Sequence, residues 1–293
     1  MAQQYINLYD VTKCMACRGC QVACKQWNQL GTNIVPFTGG YGTKNDTDAK
    51  TFTIIRYWED EKDGKMWWRF RKHQCMHCGD PACMKVCPQG AIYKTEYGAV
   101  AKDYDKCVGC KYCVSACPFG IPKYDGDIDK VTKCEMCADR VDVLVSDPAL
   151  QALPDTDPNK FKMFVPACAK TCPTGSIKYG PREALLKEAE ARVAFLKANG
   201  YPKANVYNPE GVGGTNKVYV LADDPEKYDL PVNPTIPAYI NIWQPWIKPY
   251  GGILIGLAAL GAVGSFFSTR FINAFGDKIG LGGHGEGGDK HDS

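Results

Sequence analysis

Sixteen cysteines in a chain of 293 residues fall into four groups of four, with none left over. The stretch "CMACRGCQVAC" carries Cys14, Cys17, Cys20 and Cys24, and "CMHCGDPACMKVCP" carries Cys75, Cys78, Cys83 and Cys87. A third, "CVGCKYCVSACP", carries Cys107, Cys110, Cys113 and Cys117. The fourth is split: Cys134 and Cys137 of "CEMC" join Cys168 and Cys172 of "CAKTCP" across thirty intervening residues.

A cubane of four irons needs one thiolate per iron at four tetrahedrally disposed corners. A short C-x2-C-x2-C loop wraps three corners while turning backbone N–H groups toward the sulfurs, and Ala16, Gly19 and Gly109 are small enough to permit the tight wrap. The fourth cysteine, three residues later and leading into proline, points away from its own loop and ligates the neighbouring cluster, so 4Fe-4S clusters come in pairs.

Order along the chain allows two pairings. The split fourth group favours nesting, with groups two and three adjacent and groups one and four enclosing them. The inner pair is then bound by Cys75, Cys78 and Cys83 with Cys117, and by Cys107, Cys110 and Cys113 with Cys87. The outer pair uses Cys14, Cys17 and Cys20 with Cys172, and Cys134, Cys137 and Cys168 with Cys24. The tails "CPQGAIYK", "CPFGIPKY" and "CPTGSIKY" point to an internal duplication, although Lys25 stands where the first group would have its proline.

Other uses of thiols fit less well. Structural zinc sites combine two separated C-x2-C pairs, whereas these runs put too many thiolates on one loop. A c-type haem is excluded because no C-x-x-C is followed by histidine. Rieske-type ligation would require two missing cysteines, so His73 and His77, which flank the second group, read as packing residues or as supports for the ligating cysteines. The opening "MAQQYINLYD" has no basic region followed by an apolar run and no twin arginine, so maturation in the reducing cytosol is expected at first, against disulfides.

Charge completes the exclusion of nucleic-acid binding. The formal net charge is +3, and four clusters of about −2 each would bring it to roughly −5. Lys13, Arg18, Lys85, Lys106, Lys111, Lys133 and Lys170 lie beside the cysteine groups, either offsetting that negative charge or forming a solvated surface. No catalytic residue is expected: the chain has no nucleophile-base constellation, no nucleotide fingerprint and no open metal position. A saturated four-thiolate cluster moves one electron at a time, which makes the expected function a relay.

The remaining sequence must position these loops. "TFTIIRYW" and "KMWWRF" read as short strands around the turn "EDEKDG", with Asp63-Gly64 as the tight-turn signal. Trp58, Trp67 and Trp68 on this inserted hairpin would cover the outer clusters or form a docking face. Residues 138–167, rich in Asp and Pro, read as a surface loop. "PREALLKEAEARVAFLKANG" predicts a helix opened by Pro181 and ended by Gly200, with Glu183/Lys187 and Glu188/Arg192 spaced for ion pairs and Leu185, Ala189, Val193 and Leu196 on one apolar face. "NPEGVGGTNKVYVL" lacks a P-loop ending and reads as a turn feeding a strand. Residues 250–268 are nineteen without a charge, preceded by Trp243 and Trp246 as interface anchors, and predict a bilayer-spanning helix. Lys248, Arg270 and Lys278 flank it too evenly to orient it.

The expected fold is α+β: duplicated ferredoxin-like cluster domains with an inserted hairpin and loop, a C-terminal extension and one transmembrane helix. A four-cluster domain spans 1–180, with the inner pair in 72–125 and the outer pair in 11–26 and 131–180. A helix-strand extension follows at 181–245, then the spanning helix at 246–271 and a glycine-rich tail at 272–293.

Over nearly its whole length the chain resembles the iron–sulfur (beta) subunits of respiratory, membrane-bound formate dehydrogenases, within the four-cluster ferredoxin family of molybdopterin oxidoreductases. The likeness rests on "DVTKCMACRGCQVACKQWN", "KHQCMHCGDPACMKVCP", "VTKCEMCADRV" and, beyond the clusters, "NVYNPEGVGGTNKVYVL" with a C-terminal apolar segment. Nitrate reductase partners of this type carry tryptophan where this chain has Cys110. The resemblance implies that electrons enter the Cys14 cluster from a formate-oxidising molybdenum- or tungsten-pterin catalytic (alpha) subunit. They would pass the Cys134 and Cys75 clusters and leave the Cys107 cluster for a cytochrome b (gamma) subunit and quinone. It also implies export with the catalytic subunit, placing the relay domain on the periplasmic side of the inner membrane. The alternative is the same relay in a thiosulfate, polysulfide or dimethyl sulfoxide reductase, or in a soluble formate-linked complex.

Overall fold

The computed structural model describes residues 3–37, 41–62, 64–154, 157, 160–161, 163–242 and 248–275. Two compact units result, Met1–Ile240 and Asn241–Ser293. The first strand, β1 (Tyr5–Asp10), is buried at all six positions. At its end the Asp10 carboxylate accepts from the Thr12 amide at 2.9 Å and starts a single 3-10 turn, Val11–Lys13, that delivers the chain to Cys14. Helix α1 (Gly19–Trp27) then carries Cys20 and Cys24 one turn apart on its buried side.

Strands β2 (Ile54–Lys62) and β3 (Lys65–His73) pair in register from Ile54↔His73 to Lys62↔Lys65. The expected six-residue turn is thereby corrected, since Glu59, Asp60 and Glu61 belong to the ladder opposite Trp68, Trp67 and Met66. Asp60 accepts from Arg69 on the facing strand at 2.7 Å, which makes a strand position favourable for a residue that composition alone assigns to a loop. Gly64 takes the left-handed φ of +70° that a two-residue hairpin turn requires; its neighbour Asp63 lies outside the described residues.

The duplication is visible in two helix–hairpin units. Helix α2 (Ala82–Lys85) ends just before Cys87-Pro88 and leads to a small hairpin, β4 (Ile92–Lys94) with β5 (Val100–Lys102). Helix α3 (Tyr112–Ala116) ends just before Cys117-Pro118 and leads to a second, β6 (Lys123–Asp125) with β7 (Lys130–Thr132). In each half the proline lacks an N–H to continue the helix and releases the chain into extended backbone.

The surface loop expected at 138–167 is also corrected. Helices α4 (Ala138–Ser146) and α5 (Pro148–Ala152) form there, the second opened by Asp147 accepting from the Ala149 amide at 2.8 Å with Pro148 in its first turn. Val141 and Leu144 are fully buried beside Tyr5, Tyr97 and Val165, an apolar face that the surrounding Asp and Pro residues disguise. Helix α6 (Ala167–Lys170) and strand β8 (Ile177–Pro181) follow.

Helix α7 (Arg182–Ala198) stands where the sequence predicts it and buries Leu185, Ala189 and Leu196 against Ile6, Leu8, Val218 and Val220. The charges of the expected Glu188/Arg192 pair go elsewhere than along the helix: Arg192 donates to Asp10 at 2.9 Å, and Glu188 pairs with Lys178. After β9 (Asn205–Tyr207) and a 3-10 turn at Glu210–Val212, strand β10 (Lys217–Leu221) enters the main sheet. The order is β8-β1-β10-β9, with β1 antiparallel to β8 and parallel to β10. Residues of the C-terminal extension therefore share one sheet with the first strand of the chain. A last short helix of this region is α8 (Ala238–Ile242).

In the second unit, α9 (Lys248–Phe275) is a 28-residue helix, about 42 Å long. Among the described residues no helix is long and apolar enough to cross a membrane, so the expected transmembrane helix is corrected to a helix without a demonstrated span. Glycines and hydroxyls interrupt its apolar run, and Ser265, Ser268 and Thr269 bond back to carbonyls of their own helix. Ile255, Leu257, Leu260 and Phe267 are exposed on it. Trp243, Trp246, Lys278 and the tail from 276 onward lie outside the described residues.

Candidate metal centres

All sixteen thiols are free. Four loops present them, and each loop repeats one backbone feature: the residue before the second cysteine has a positive φ. These residues are Ala16 (56°), His77 (48°), Gly109 (67°) and Met136 (60°). The left-handed turn reverses the chain within three residues and lets two sulfurs face the same point. Only Gly109 meets a steric need for glycine, since a Cβ there would lie 2.7 Å from the Asp129 carbonyl oxygen. The other three accept the cost of a side chain in this conformation.

The first quartet comprises Cys14, Cys17, Cys20 and Cys172, which line one small cavity with Tyr9 and Ile177. The Ala16 amide donates to Cys14 Sγ at 3.4 Å. The hairpin braces this loop: Tyr57 Oη donates to the Ala16 carbonyl at 3.0 Å and accepts from Arg18 Nε at 2.7 Å. In the second quartet Cys24 faces Cys134, Cys168 and Cys137. The Ala167 amide donates to Cys137 Sγ at 3.5 Å, and Asn28 Nδ2 lies 3.7 Å from Cys24 Sγ.

The third quartet brings Cys78 together with Cys75, Cys117 and Cys83. The glycine-rich stretch identified in the sequence is its brace. Gly79 donates to the Gly214 carbonyl at 2.8 Å and Asp80 to the Val212 carbonyl at 2.7 Å, so two backbones run against each other beside Cys78. A Cβ on Gly79 would stand 1.9 Å from the Gly213 oxygen. The fourth quartet, Cys87, Cys107, Cys110 and Cys113, lines a second small cavity with Lys102, Ile92 and Val131, and the Ala91 amide donates to Cys87 Sγ at 3.3 Å. In every quartet three sulfurs thus come with a fourth from another group: Cys172, Cys24, Cys117 and Cys87.

The quartets also succeed one another in space. Cys20 of the first neighbours Cys168 of the second, Cys134 of the second neighbours Cys75 of the third, and Cys83 of the third neighbours Cys113 of the fourth. The same three junctions appear as apolar clusters, one holding Cys20 with Cys168, one Cys24 and Cys134 with Cys75, and one Cys83 with Cys113.

Burial pushes most of these thiols up, Cys20 and Cys137 to about 12 and Cys75 and Cys113 to about 11, and neighbouring thiols push them further. Two go the other way. Burial also opposes ionisation of Cys168, but Lys72 and Lys217 outweigh it and hold its pKa low; at Cys107 the Val131 and Gly109 amides and Lys102 do the same. Cys75, Cys78, Cys83 and Cys117 each resist ionisation on their own, which suits a cationic core that supplies the missing charge, and the four-thiol donor sets fit 4Fe-4S.

The basic residues flagged by position separate into two kinds. Lys13, Lys85 and Lys106 pair with Asp10, Asp80 and Asp103 toward the surface; Lys111 lies over the Tyr124 ring, and Lys170 is exposed. Lys133 alone is buried, its ammonium donating to the Val100 and Cys134 carbonyls. Sequence reasoning missed Lys72, Lys102 and Lys217, which are equally buried. Lysines in short strands carry no signal that they face inward; only the fold supplies it. His73 and His77 are both buried, and His77 Nε2 lies 3.6 Å from Cys134 Sγ. Trp58 packs on Tyr228, whereas Trp67 and Trp68 remain partly exposed beside a groove that reaches Cys14.

Two family models, both described as a 4Fe-4S dicluster domain, match residues 13–91 and 66–155. Among curated proteins, the chain is 42% identical to the nitrate-inducible formate dehydrogenase iron-sulfur subunit of Escherichia coli K12, covering 90% of this chain and 83% of that one. It is 40% identical to the formate dehydrogenase iron-sulfur subunit of Haemophilus influenzae, over 90% and 80%. To formate dehydrogenase 2 subunit beta (cytochrome c-553) of Nitratidesulfovibrio vulgaris it is 34% identical, over 75% and 94%.

Proposed function

Because the chain belongs to the iron–sulfur subunits of formate dehydrogenase, we propose that it relays electrons between a formate-oxidising molybdenum- or tungsten-pterin subunit and a membrane cytochrome b subunit that reduces quinone. The observation that supports the reading is the file of four thiol quartets, each sharing a buried apolar cluster with the next. When bound, four 4Fe-4S clusters would supply one-electron storage at each quartet. The residues that would hold them are Cys14, Cys17, Cys20 and Cys172; Cys24, Cys134, Cys137 and Cys168; Cys75, Cys78, Cys83 and Cys117; and Cys87, Cys107, Cys110 and Cys113.

The chain's own part is to fix these seats. The left-handed turns aim the sulfurs, the backbone amides of Ala16, Ala91 and Ala167 donate to them, and aliphatic and aromatic side chains exclude water. Cys17 and Cys110, in the first and fourth quartets, are exposed, as the two ends of a relay must be to reach partners. We assign the Cys17 end to the catalytic subunit and the Cys110 end to the cytochrome. The proposed location is the inner membrane with the relay unit on the periplasmic side, and the exposed apolar side chains of α9 support contact with an apolar partner or lipid surface.

Purifying the intact complex and assaying formate oxidation with a quinone analogue tests the reading directly. Formate-dependent quinone reduction with about sixteen irons per copy of this chain is expected. An iron-poor chain, or a copurifying catalytic subunit that does not oxidise formate, would sink it.

A further inference from the structure

Lys72, on β3, is 1% exposed, and its ammonium donates to Gln74 Oε1. An amide oxygen satisfies a hydrogen bond but carries no net charge. No carboxylate pairs with Lys72, Lys102, Lys133 or Lys217 among the described residues, which is unusual because an isolated buried charge is strongly disfavoured. For Lys72 the counter-charge comes from the sulfur side, whereas the Glu135 carboxyl also acts on Lys133 and Lys102.

The charged neighbours of Lys72 are Cys20 of the first quartet and Cys24, Cys134 and Cys168 of the second. Geometry places it there: Lys72 stands opposite Ile55 across the β2–β3 ladder, and Ile55 packs in one buried cluster with Cys20 of the first quartet and Cys168 of the second. Lys133 has a different set, Cys75 and Cys83 of the third quartet, the Glu135 carboxyl, and Cys134 of the second quartet. Each lysine therefore sits at a junction between two quartets.

We propose that Lys72 is a counter-charge shared by the clusters of the first and second quartets, raising both midpoint potentials together while leaving those of the third and fourth unmoved. Reduction adds a negative charge to a cluster, and a fixed cation in a dry interior stabilises the reduced form. A cation at a junction acts on both sides at once and also screens the repulsion between two reduced neighbours. Lys72 is thus a positioning charge that sets where electrons rest. This inference rests on the cluster seats proposed above.

The test uses the full-length holoprotein purified anaerobically with its partner subunits, with iron content measured first and a redox titration monitored by EPR. In Lys72→Met two of four midpoint potentials are expected to move to lower values, while Lys72→Arg keeps wild-type values. Lys133→Met is expected to move a different two, sharing one member with the first set. Unmoved potentials in fully loaded Lys72→Met overturn the proposal and leave the relay function standing, whereas an iron-poor wild type overturns the function itself. Should Lys72→Met load incompletely, full loading of Lys72→Arg supports the charge role, and equal iron loss in both variants overturns it.

Discussion

His77 accepts the Val100 amide at Nδ1 (2.9 Å), which leaves the ring hydrogen on Nε2, 3.6 Å from the sulfur of Cys134. Burial, with Lys217, Lys133 and Lys72 nearby, holds the imidazole pKa well below its ordinary value, so the ring is the neutral Nε2–H tautomer. A residue of the third quartet's loop therefore donates to a sulfur of the second. N–H···S bonds raise cluster potentials by stabilising the reduced state. His77→Phe is expected to lower one midpoint potential in an EPR-monitored titration while iron content stays near wild type.

The exchange of fourth ligands has a separate consequence. Cys87 lies in the sequence run of the third quartet but faces Cys113, Cys107 and Cys110. Cys87→Ser is expected to perturb or remove the cluster seated by Cys107, Cys110 and Cys113, with about twelve to sixteen irons retained per chain by chemical analysis. Loss of the Cys75 cluster in its place would refute the crossing.

Gly79 leaves no room for a methyl group, because the Gly213 oxygen would lie 1.9 Å from its Cβ. Gly79→Ala must separate the two backbones and break the bonds from Gly79 and Asp80 to Gly214 and Val212. We expect a loss of about 2–3 kcal/mol of stability in urea unfolding, from overpacking alone. The Cys78 loop adjoins this contact, so the third quartet's EPR signal should broaden or vanish first.

His73 provides the acid response. Burial first, and then Arg71 and Arg56, depress its pKa to about 3, although Asp46 pulls it the other way. In the unfolded chain the same ring titrates near 6.5. The unfolded state thus binds more protons between those values, so this contribution is complete above about pH 6.5 and is lost as pH falls toward 3. His73→Asn should flatten the fall in urea midpoint between pH 7 and pH 5 relative to wild type.

Leu144 on α4 is fully buried with Val141, Tyr97 and Tyr5. Leu144→Ala is expected to cost about 2–5 kcal/mol in urea unfolding, a value that a residue in a surface loop would not reach.

Cysteine spacing suffices to group the thiols, because distance along a loop translates almost directly into what one loop can wrap. Group membership across the fold is harder to read, yet the gap between Cys137 and Cys168 indicates the nesting that the quartets display. What sequence does not reveal is tertiary. The inward lysines Lys72 and Lys217 look like any strand lysine, and left-handed Ala16, His77 and Met136 carry no glycine to betray them. The helix at Ala138–Ser146 is hidden by turn-forming residues around a short apolar face, and the hairpin ladder runs through acids that local propensity places in a turn. The glycine-rich stretch reads as a turn feeding β10, but its second task, bracing Cys78, depends on a contact more than a hundred residues away in sequence.

The sheet that joins the first strand to Lys217–Leu221 sets a schedule for biogenesis. A ribosome delivers Tyr5–Asp10 early, but the neighbours on either side emerge only after residue 177, so that strand waits unpaired through most of synthesis. The segments carrying Cys75 to Cys117 are contiguous and can close upon themselves meanwhile. Metal loading should therefore begin at the seat of Cys87, Cys107, Cys110 and Cys113, whose lining is complete by Val131, and a truncated nascent chain ending before Ile177 should retain that quartet's iron while lacking the rest.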